Sequence, residues 1–267
     1  MTRVIQNWPG IGRAPDQSLE DYIGQVHLQM PDRLDQVDFA GTIALAKKSA
    51  PVVCDFEEHV LERFRGRKMV HIGGACRLPY LVGRKLAPNH GIPRDDIILL
   101  DLPEKVLMEA LQREGGENLV VDYLAGRNVT PEDARGYVFL DSGMEGSIPS
   151  LLSSFVGAGR SEKFLLYSSS EVDGYNKLFP GVEGGNRERR DMIHRAAVFL
   201  DSAARSTGIG YLVRDDRGVH PRYKPADRIQ YEEEYMPNDN GYSHKHDRRL
   251  AWFVAQIMLE EARKRIR

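Results

Sequence analysis

An α/β fold, built on a mostly parallel sheet with helices on both faces, follows from three features of the chain. Short β-prone apolar runs alternate with segments of helical periodicity between residues 67 and 175. Several of these strands end in loops rich in glycine, serine or an acid, and both flanks abandon the alternation for longer helical patterns. Alternation of this kind needs crossover connections, which are right-handed and distribute helices over both sheet faces. The expected organisation is an N-terminal arm with helices at 1–66, an α/β core at 67–175 and a C-terminal helical cap at 176–267.

Residues 1–35 carry Pro9, Gly10, Pro15 and Pro31 with little periodicity, and read as an irregular arm with one short helix at Ser18–His27. Its role would be packing or contact within a homo-oligomer. From Gln36 the apolar positions Val37, Phe39, Ile43, Ala44, Val52, Val53, Phe56, Val60, Leu61 and Phe64 recur near helical spacing. Proline inside a helix removes a hydrogen bond and crowds the preceding turn, so Pro51 is expected to split this run into two tandem helices. The core then reads as strand Lys68–Ile72, helix Leu78–Leu86, strand Asp96–Leu100, helix Glu104–Arg113 and strand Asn118–Leu124. Strand Tyr137–Leu140, helix Ile148–Val156 and strand Lys163–Tyr167 complete it. In the cap, a charged helix at Asn186–Arg205 places Ile193, Ala197, Leu200 and Ala204 on one face, and a strand-like Gly210–Arg214 follows. A polar stretch at 215–247 leads to an amphipathic helix, Arg248–Ile266, with Leu250, Phe253, Val254, Ile257 and Met258 inward.

The chain of 267 residues is 41% hydrophobic, which suffices for a sizeable core. Its 37 basic and 39 acidic residues leave a formal charge of −2, so no global field draws it to nucleic acid or anionic lipid. Cys54 and Cys76 offer no C-x-x-C spacing and fit a reducing cytoplasm. The amino terminus lacks an apolar signal region, and no run approaches the roughly 18 apolar residues of a membrane span. A cytoplasmic protein without a membrane partner is the expectation.

The strongest functional signal is Tyr-Val-Phe-Leu-Asp-Ser-Gly-Met-Glu-Gly-Ser at 137–147: an apolar strand ending in Asp141, then a small-residue loop before a helix. Ser142, Gly143, Gly146 and Ser147 leave room for an anion to reach backbone N–H groups, with Met144 and Glu145 between them. Glu145 would repel a phosphate unless it points outward. A second strand-to-helix loop, Gly73-Gly74-Ala75-Cys76-Arg77, combines glycines suited to close approach with an arginine whose planar fork suits a phosphate or pyrophosphate. A plain turn explains that loop about equally well. Asp101, at the end of Leu-Leu-Asp-Leu-Pro, could bind ribose hydroxyls or simply cap the next helix. His244, His246 and Asp247, preceded by Glu232–Glu234, could be read as metal ligands but are explained more simply as a polar loop before the last helix. Arg187, Arg189, Arg190 and Arg195 read as a solvated helix face, one of which could reach a substrate phosphate.

Together the loops at 73–77 and 141–147 resemble those of the type I phosphoribosyltransferases, over about residues 67–170. The resemblance implies a diphosphate held by Gly73–Arg77, Asp141 on the ribose hydroxyls, and Ser142–Ser147 around the 5-phosphate. It also implies Mg²⁺ on the departing diphosphate and a phosphorylated ribose or nucleotide as the partner. The family usually has two adjacent acids and a Thr-Gly-x-Thr core, where this chain has Asp141 alone and Ser-Gly-Met-Glu-Gly-Ser. The same strands also resemble class I methyltransferases, which implies His-Ile-Gly-Gly-Ala as the glycine loop and Asp101 on the ribose of S-adenosylmethionine. His71 stands where that family carries an acid. A non-catalytic interaction or regulatory protein that keeps the fold is the third reading. Tyr175 and Lys177 superficially resemble the Tyr-x-x-x-Lys pair of short-chain dehydrogenases, but lie two apart rather than four.

Overall fold

The computed structural model describes residues 36–266 apart from 74, 101, 103, 144, 182–183, 205–208, 217 and 224–247. The N-terminal arm at 1–35, Asp101, and the His244/His246 segment therefore lie outside the described residues. Four strands form the core sheet: β1 (Lys68–Ile72), β2 (Ile97–Leu100), β3 (Tyr137–Asp141) and β4 (Ser161–Leu165). All pair in parallel in the order β2-β1-β3-β4. Seven α-helices are seen among the described residues: α1 (Gln36–Arg63), α2 (Arg77–Leu86), α3 (Glu104–Leu111), α4 (Gly116–Ala125), α5 (Ser147–Val156), α6 (Gly185–Ala204) and α7 (Arg248–Lys264). An antiparallel hairpin, β5 (Ile209–Asp215) and β6 (Gly218–Tyr223), stands apart from the sheet.

Sheet strands buried on both faces read as nearly continuous apolar runs, and in β1, β2 and β3 Met69, Val70, Ile97, Leu100, Val138, Phe139 and Leu140 are all buried. Two apolar layers sandwich the sheet. On one side Phe56, Val60, Leu86, Ile193, Leu200, Val254 and Met258 bring α1, α2, α6 and α7 together with Val138 and Phe164. On the other, Leu107, Val120, Tyr123, Leu152 and Val156 of α3, α4 and α5 pack on Val70, Ile72 and Phe139. The hairpin closes this second layer through Leu212, and Arg214 pairs with Asp122 on α4. Helices thus cover both sheet faces, with helices before and after the core, as the alternation of the sequence requires.

Several local expectations give way. Asn118–Leu124 is not a strand but part of α4, which starts after Gly115 in the left-handed region at φ 71°. Its buried positions Gly116, Val120, Tyr123 and Leu124 recur every three to four residues, while Val121 is 41% exposed, a helical rather than an alternating pattern. Pro51 does not break the helical run into two, since α1 is a single helix of 28 residues. The buried Ala46 and Ala50 before the proline and Val53, Phe56 and Val60 after it seat both halves in one apolar layer, which outweighs the missing hydrogen bond. Ala44 faces solvent instead of the core. Strand β4 begins two residues earlier than expected because Ser161 and Glu162 pair with Tyr137 and Val138 at the sheet edge. Strand β6 was part of the unassigned polar stretch.

The crossovers reverse direction at β1. From β1 the chain leaves through α2 on one face to reach β2, then returns through α3 and α4 on the other face to β3, on the far side of β1. Adjacent strands β1 and β3 therefore send their following helices, α2 and α5, to opposite faces. A crevice opens between such loops at the carboxyl ends of the strands.

Candidate functional site

The two small-residue loops lie side by side at that crevice. His71 pairs with Leu140 in register, and β3 continues to Asp141, which pairs with Leu165 on its other side. Gly73 is buried with φ 69°, and its N–H donates to the Leu100 carbonyl at 2.8 Å, tying the first loop to the end of β2. Ala75 and Arg77 are partly buried, and Arg77 opens α2. Gly74 and Met144 lie outside the described residues.

Beyond Asp141, the Gly143 N–H donates to the Asp141 carboxylate at 3.2 Å. Ser142 is 2% exposed and its hydroxyl has no hydrogen-bond partner among the described residues. Gly146, at φ 70°, precedes α5 without any side-chain cap on the helix, so the first N–H groups of α5 are not taken up by a capping side chain. A Cβ on Gly146 would lie 3.2 Å from Val172 and 3.4 Å from Leu165, so glycine serves both the backbone angle and the close approach. Ser147 donates to Glu104 at 3.3 Å, which brings the start of α3 beside the start of α5. Glu145 is exposed, and its carbonyl accepts from Ser170 at 3.2 Å.

Burial pushes the Asp141 carboxyl up to about 6 from an ordinary 3.8, and the charges of Asp201 and Glu104 push the same way. The Gly143 and Ser142 N–H groups pull it down. Asp141 is thus ionised near neutral pH but close to its midpoint. The acids Asp201 and Glu104 act on Asp141, and Arg77 stands at the start of α2.

Beneath the first loop lies a pair that sequence reasoning missed. His71 Nε2 and Glu57 Oε1 are 3.0 Å apart, and both side chains are completely buried. The second oxygen of Glu57 and Nδ1 of His71 have no hydrogen-bond partner among the described residues. Burial raises the Glu57 pKa, and His71 draws it back down. Cys76, also buried, sits between Glu57 and Asp141 electrostatically, and burial raises its thiol well above the usual range. Such a thiol is not a nucleophile.

A second contribution not read from the sequence comes from α6, whose Arg187, Arg189, Arg190 and Arg195 read there as a solvated face on an amphipathic helix. Its Asp201 acts on Asp141, and its His194 ring lies 4.7 Å from Tyr167, just past the end of β4. Arg189 is not available to a substrate: it pairs with Asp55 of α1 and carries a long contact to Tyr175 at 3.5 Å. Tyr175 and Lys177 do not form a catalytic pair either, since Lys177 donates to the carbonyls of Ser170 and Val172 at 2.5 and 2.8 Å.

Among the described residues, no group of three or more His, Cys, Asp or Glu gathers in a way that could hold a metal ion, and no helix is long and apolar enough to cross a membrane. Comparison with family models, curated proteins and solved structures finds no significant match.

Proposed function

We propose that this chain binds a phosphorylated ribose at the crevice between β1 and β3 and transfers a group at its anomeric carbon, as a phosphoribosyltransferase-like enzyme. One observation carries the reading: the two loops singled out by sequence belong to neighbouring strands whose helices depart to opposite faces. In this reading Asp141 accepts from the ribose hydroxyls, and Ser142–Ser147 with the start of α5 surrounds the 5-phosphate. Gly73–Arg77 receives the diphosphate, Arg77 supplying charge.

Transfer breaks the bond between the anomeric carbon and the diphosphate oxygen, and forms one from that carbon to the acceptor, which loses a proton. Positive charge develops on the ribose ring on the way. The carboxylates of Asp141, Asp201 and Glu104 stabilise that charge electrostatically, while fixing both phosphates supplies orientation. Asp141 is the residue that would help hold a Mg²⁺ ion, whose charge would neutralise the leaving diphosphate.

A second reading uses the tie between Gly73 and Leu100, which holds the first loop beside the end of β2. That is the arrangement an S-adenosylmethionine-dependent methyltransferase needs, with Asp101 on the ribose. Thermal shift separates the readings. Diphosphorylated ribose with Mg²⁺ at 100 dissociation constants should stabilise the protein by about 2.7 kcal/mol, and Asp141→Asn should abolish the shift. S-adenosylmethionine should give a shift that depends on Asp101 instead. A non-catalytic protein would respond to neither, and silence toward every phosphorylated ribose sinks the first reading.

A further inference from the structure

We infer that Ser170, on the loop after β4, is a positioning residue for the anion end of the site: it turns the Glu145–Gly146 peptide so that the Gly146 N–H faces an incoming phosphate. The inference rests on the phosphate reading of the 142–147 loop. Ser170 is half-buried, and its hydroxyl donates to the Glu145 carbonyl at 3.2 Å. No peptide bond among the described residues is cis, and a planar trans peptide points its C=O and N–H in opposite directions. A Glu145 carbonyl drawn toward Ser170 therefore leaves the next N–H, that of Gly146, directed away from the loop after β4. That N–H stands immediately before α5 and has no hydrogen-bond partner among the described residues.

The loop that carries Ser170 is knit to itself. Lys177 donates to the Ser170 and Val172 carbonyls at 2.5 and 2.8 Å, Ser168 Oγ donates to the Val172 carbonyl at 2.6 Å, and the Asn176 amide holds both backbone groups of Ser168. Val172 adds an apolar contact, since a Cβ on Gly146 would lie 3.2 Å from it. The brace thus meets consecutive residues of the cradle, with a hydrogen bond to Glu145 and packing against Gly146. An amide fixed before the anion arrives needs no ordering on binding, which is how a brace of this kind adds affinity. In the same loop the Ser142 hydroxyl, 2% exposed and without a partner among the described residues, is a further donor that a bound anion would satisfy.

The test titrates ribose 5-phosphate, inorganic phosphate and inorganic pyrophosphate by calorimetry into the full chain and into its Ser170→Ala and Ser170→Thr variants. Ser170→Ala should weaken ribose 5-phosphate and phosphate about tenfold, the scale of one hydrogen bond, and Ser170→Thr, which keeps the hydroxyl, should restore most of the loss. The unliganded Ser170→Ala chain should melt within about 2 °C of the parent, as for other surface changes. Pyrophosphate, which the ribose reading puts on Gly73–Arg77, should bind all three chains alike. The inference is overturned if Ser170→Ala binds ribose 5-phosphate as tightly as the parent, if threonine restores nothing, or if pyrophosphate weakens in step, the mark of a general loss of structure. If phosphate binds with this dependence on Ser170 while ribose 5-phosphate binds no better than phosphate, the ribose reading falls and the positioning role stands. If neither binds the parent chain, both fall.

Discussion

Gly83→Ala should destabilise this protein, although the same change in an ordinary helix stabilises it. Gly83 lies inside α2, where alanine gains about 1 kcal/mol over glycine in helix propensity. Here the added Cβ would fall 2.4 Å from Glu57 Oε2 and 3.3 Å from Cδ of the same carboxyl. Glu57 is fully buried and its other oxygen is held by His71 at 3.0 Å, so it has nowhere to retreat without losing that contact. Breaking a buried pair of this kind costs about 3–5 kcal/mol, which exceeds the propensity gain and leaves a net loss of about 2–4 kcal/mol. For a chain of this size that is a fall of about 5–15 °C in melting temperature. Urea and thermal melts followed by circular dichroism measure it. The decisive arm is a double-mutant cycle: with Glu57→Ala already in place the obstacle is gone, and Gly83→Ala should turn stabilising by about 1 kcal/mol. A stabilising or neutral effect in the unsubstituted protein would refute the steric account of how α2 seats on Glu57.

Asp141→Asn should stabilise the unliganded protein while destroying ribose binding. A carboxyl whose pKa rises on folding binds its proton more tightly in the folded state, so its contribution to stability falls as pH climbs from about 4 to about 6. Asparagine should flatten that stretch of the melting-temperature profile and gain about 2 kcal/mol at pH 7.5, allowing for partial exposure of the group. Asn176→Ala should cost about 2–3 kcal/mol in a denaturant titration, because its amide receives the buried Ser168 N–H at 2.8 Å and donates to the Ser168 carbonyl at 3.0 Å. Neither cysteine should react with a maleimide at pH 8 until the chain is unfolded: both are buried, and burial lifts Cys54 to about 12 and Cys76 well above its usual range. Rapid labelling of the native protein, read by mass spectrometry, would contradict the burial of both thiols.

The sheet was legible because its strands are buried on both faces, which forces Met-Val-His-Ile, Ile-Ile-Leu-Leu and Tyr-Val-Phe-Leu into nearly unbroken apolar runs. The same rule misleads at Asn118–Leu124, where a short apolar run fits a strand or a buried helix equally and only the neighbouring packing decides. Gly-Val-His-Pro-Arg-Tyr at 218–223 carries too few apolar side chains to announce β6, whose pairing with β5 supplies the order. At the site, Asp141 and the small residues after it were readable because they are contiguous. The Glu57–His71 pair was not, since it joins a helix to a strand. Its only trace in the sequence is an acid set among Val53, Phe56 and Val60 on an otherwise apolar helix face, and an imidazole inside an apolar strand. The effect of the Asp201 charge on Asp141 is likewise a product of tertiary folding, with no signal in local spacing.

The last helix of the described chain docks on the first. Val254, Ile257 and Met258 of α7 complete the layer begun by Phe56 and Val60 of α1, and Arg265 reaches Asp55 at 2.5 Å, Glu58 at 2.8 Å and the Pro51 carbonyl at 3.2 Å. During synthesis at roughly 5–20 residues per second, α1 emerges many seconds before the segment that covers it. Part of its apolar face must wait, exposed or chaperoned, until α7 has been delivered. A premature stop anywhere before α7 would therefore leave a sticky, unfinished product rather than a smaller working one.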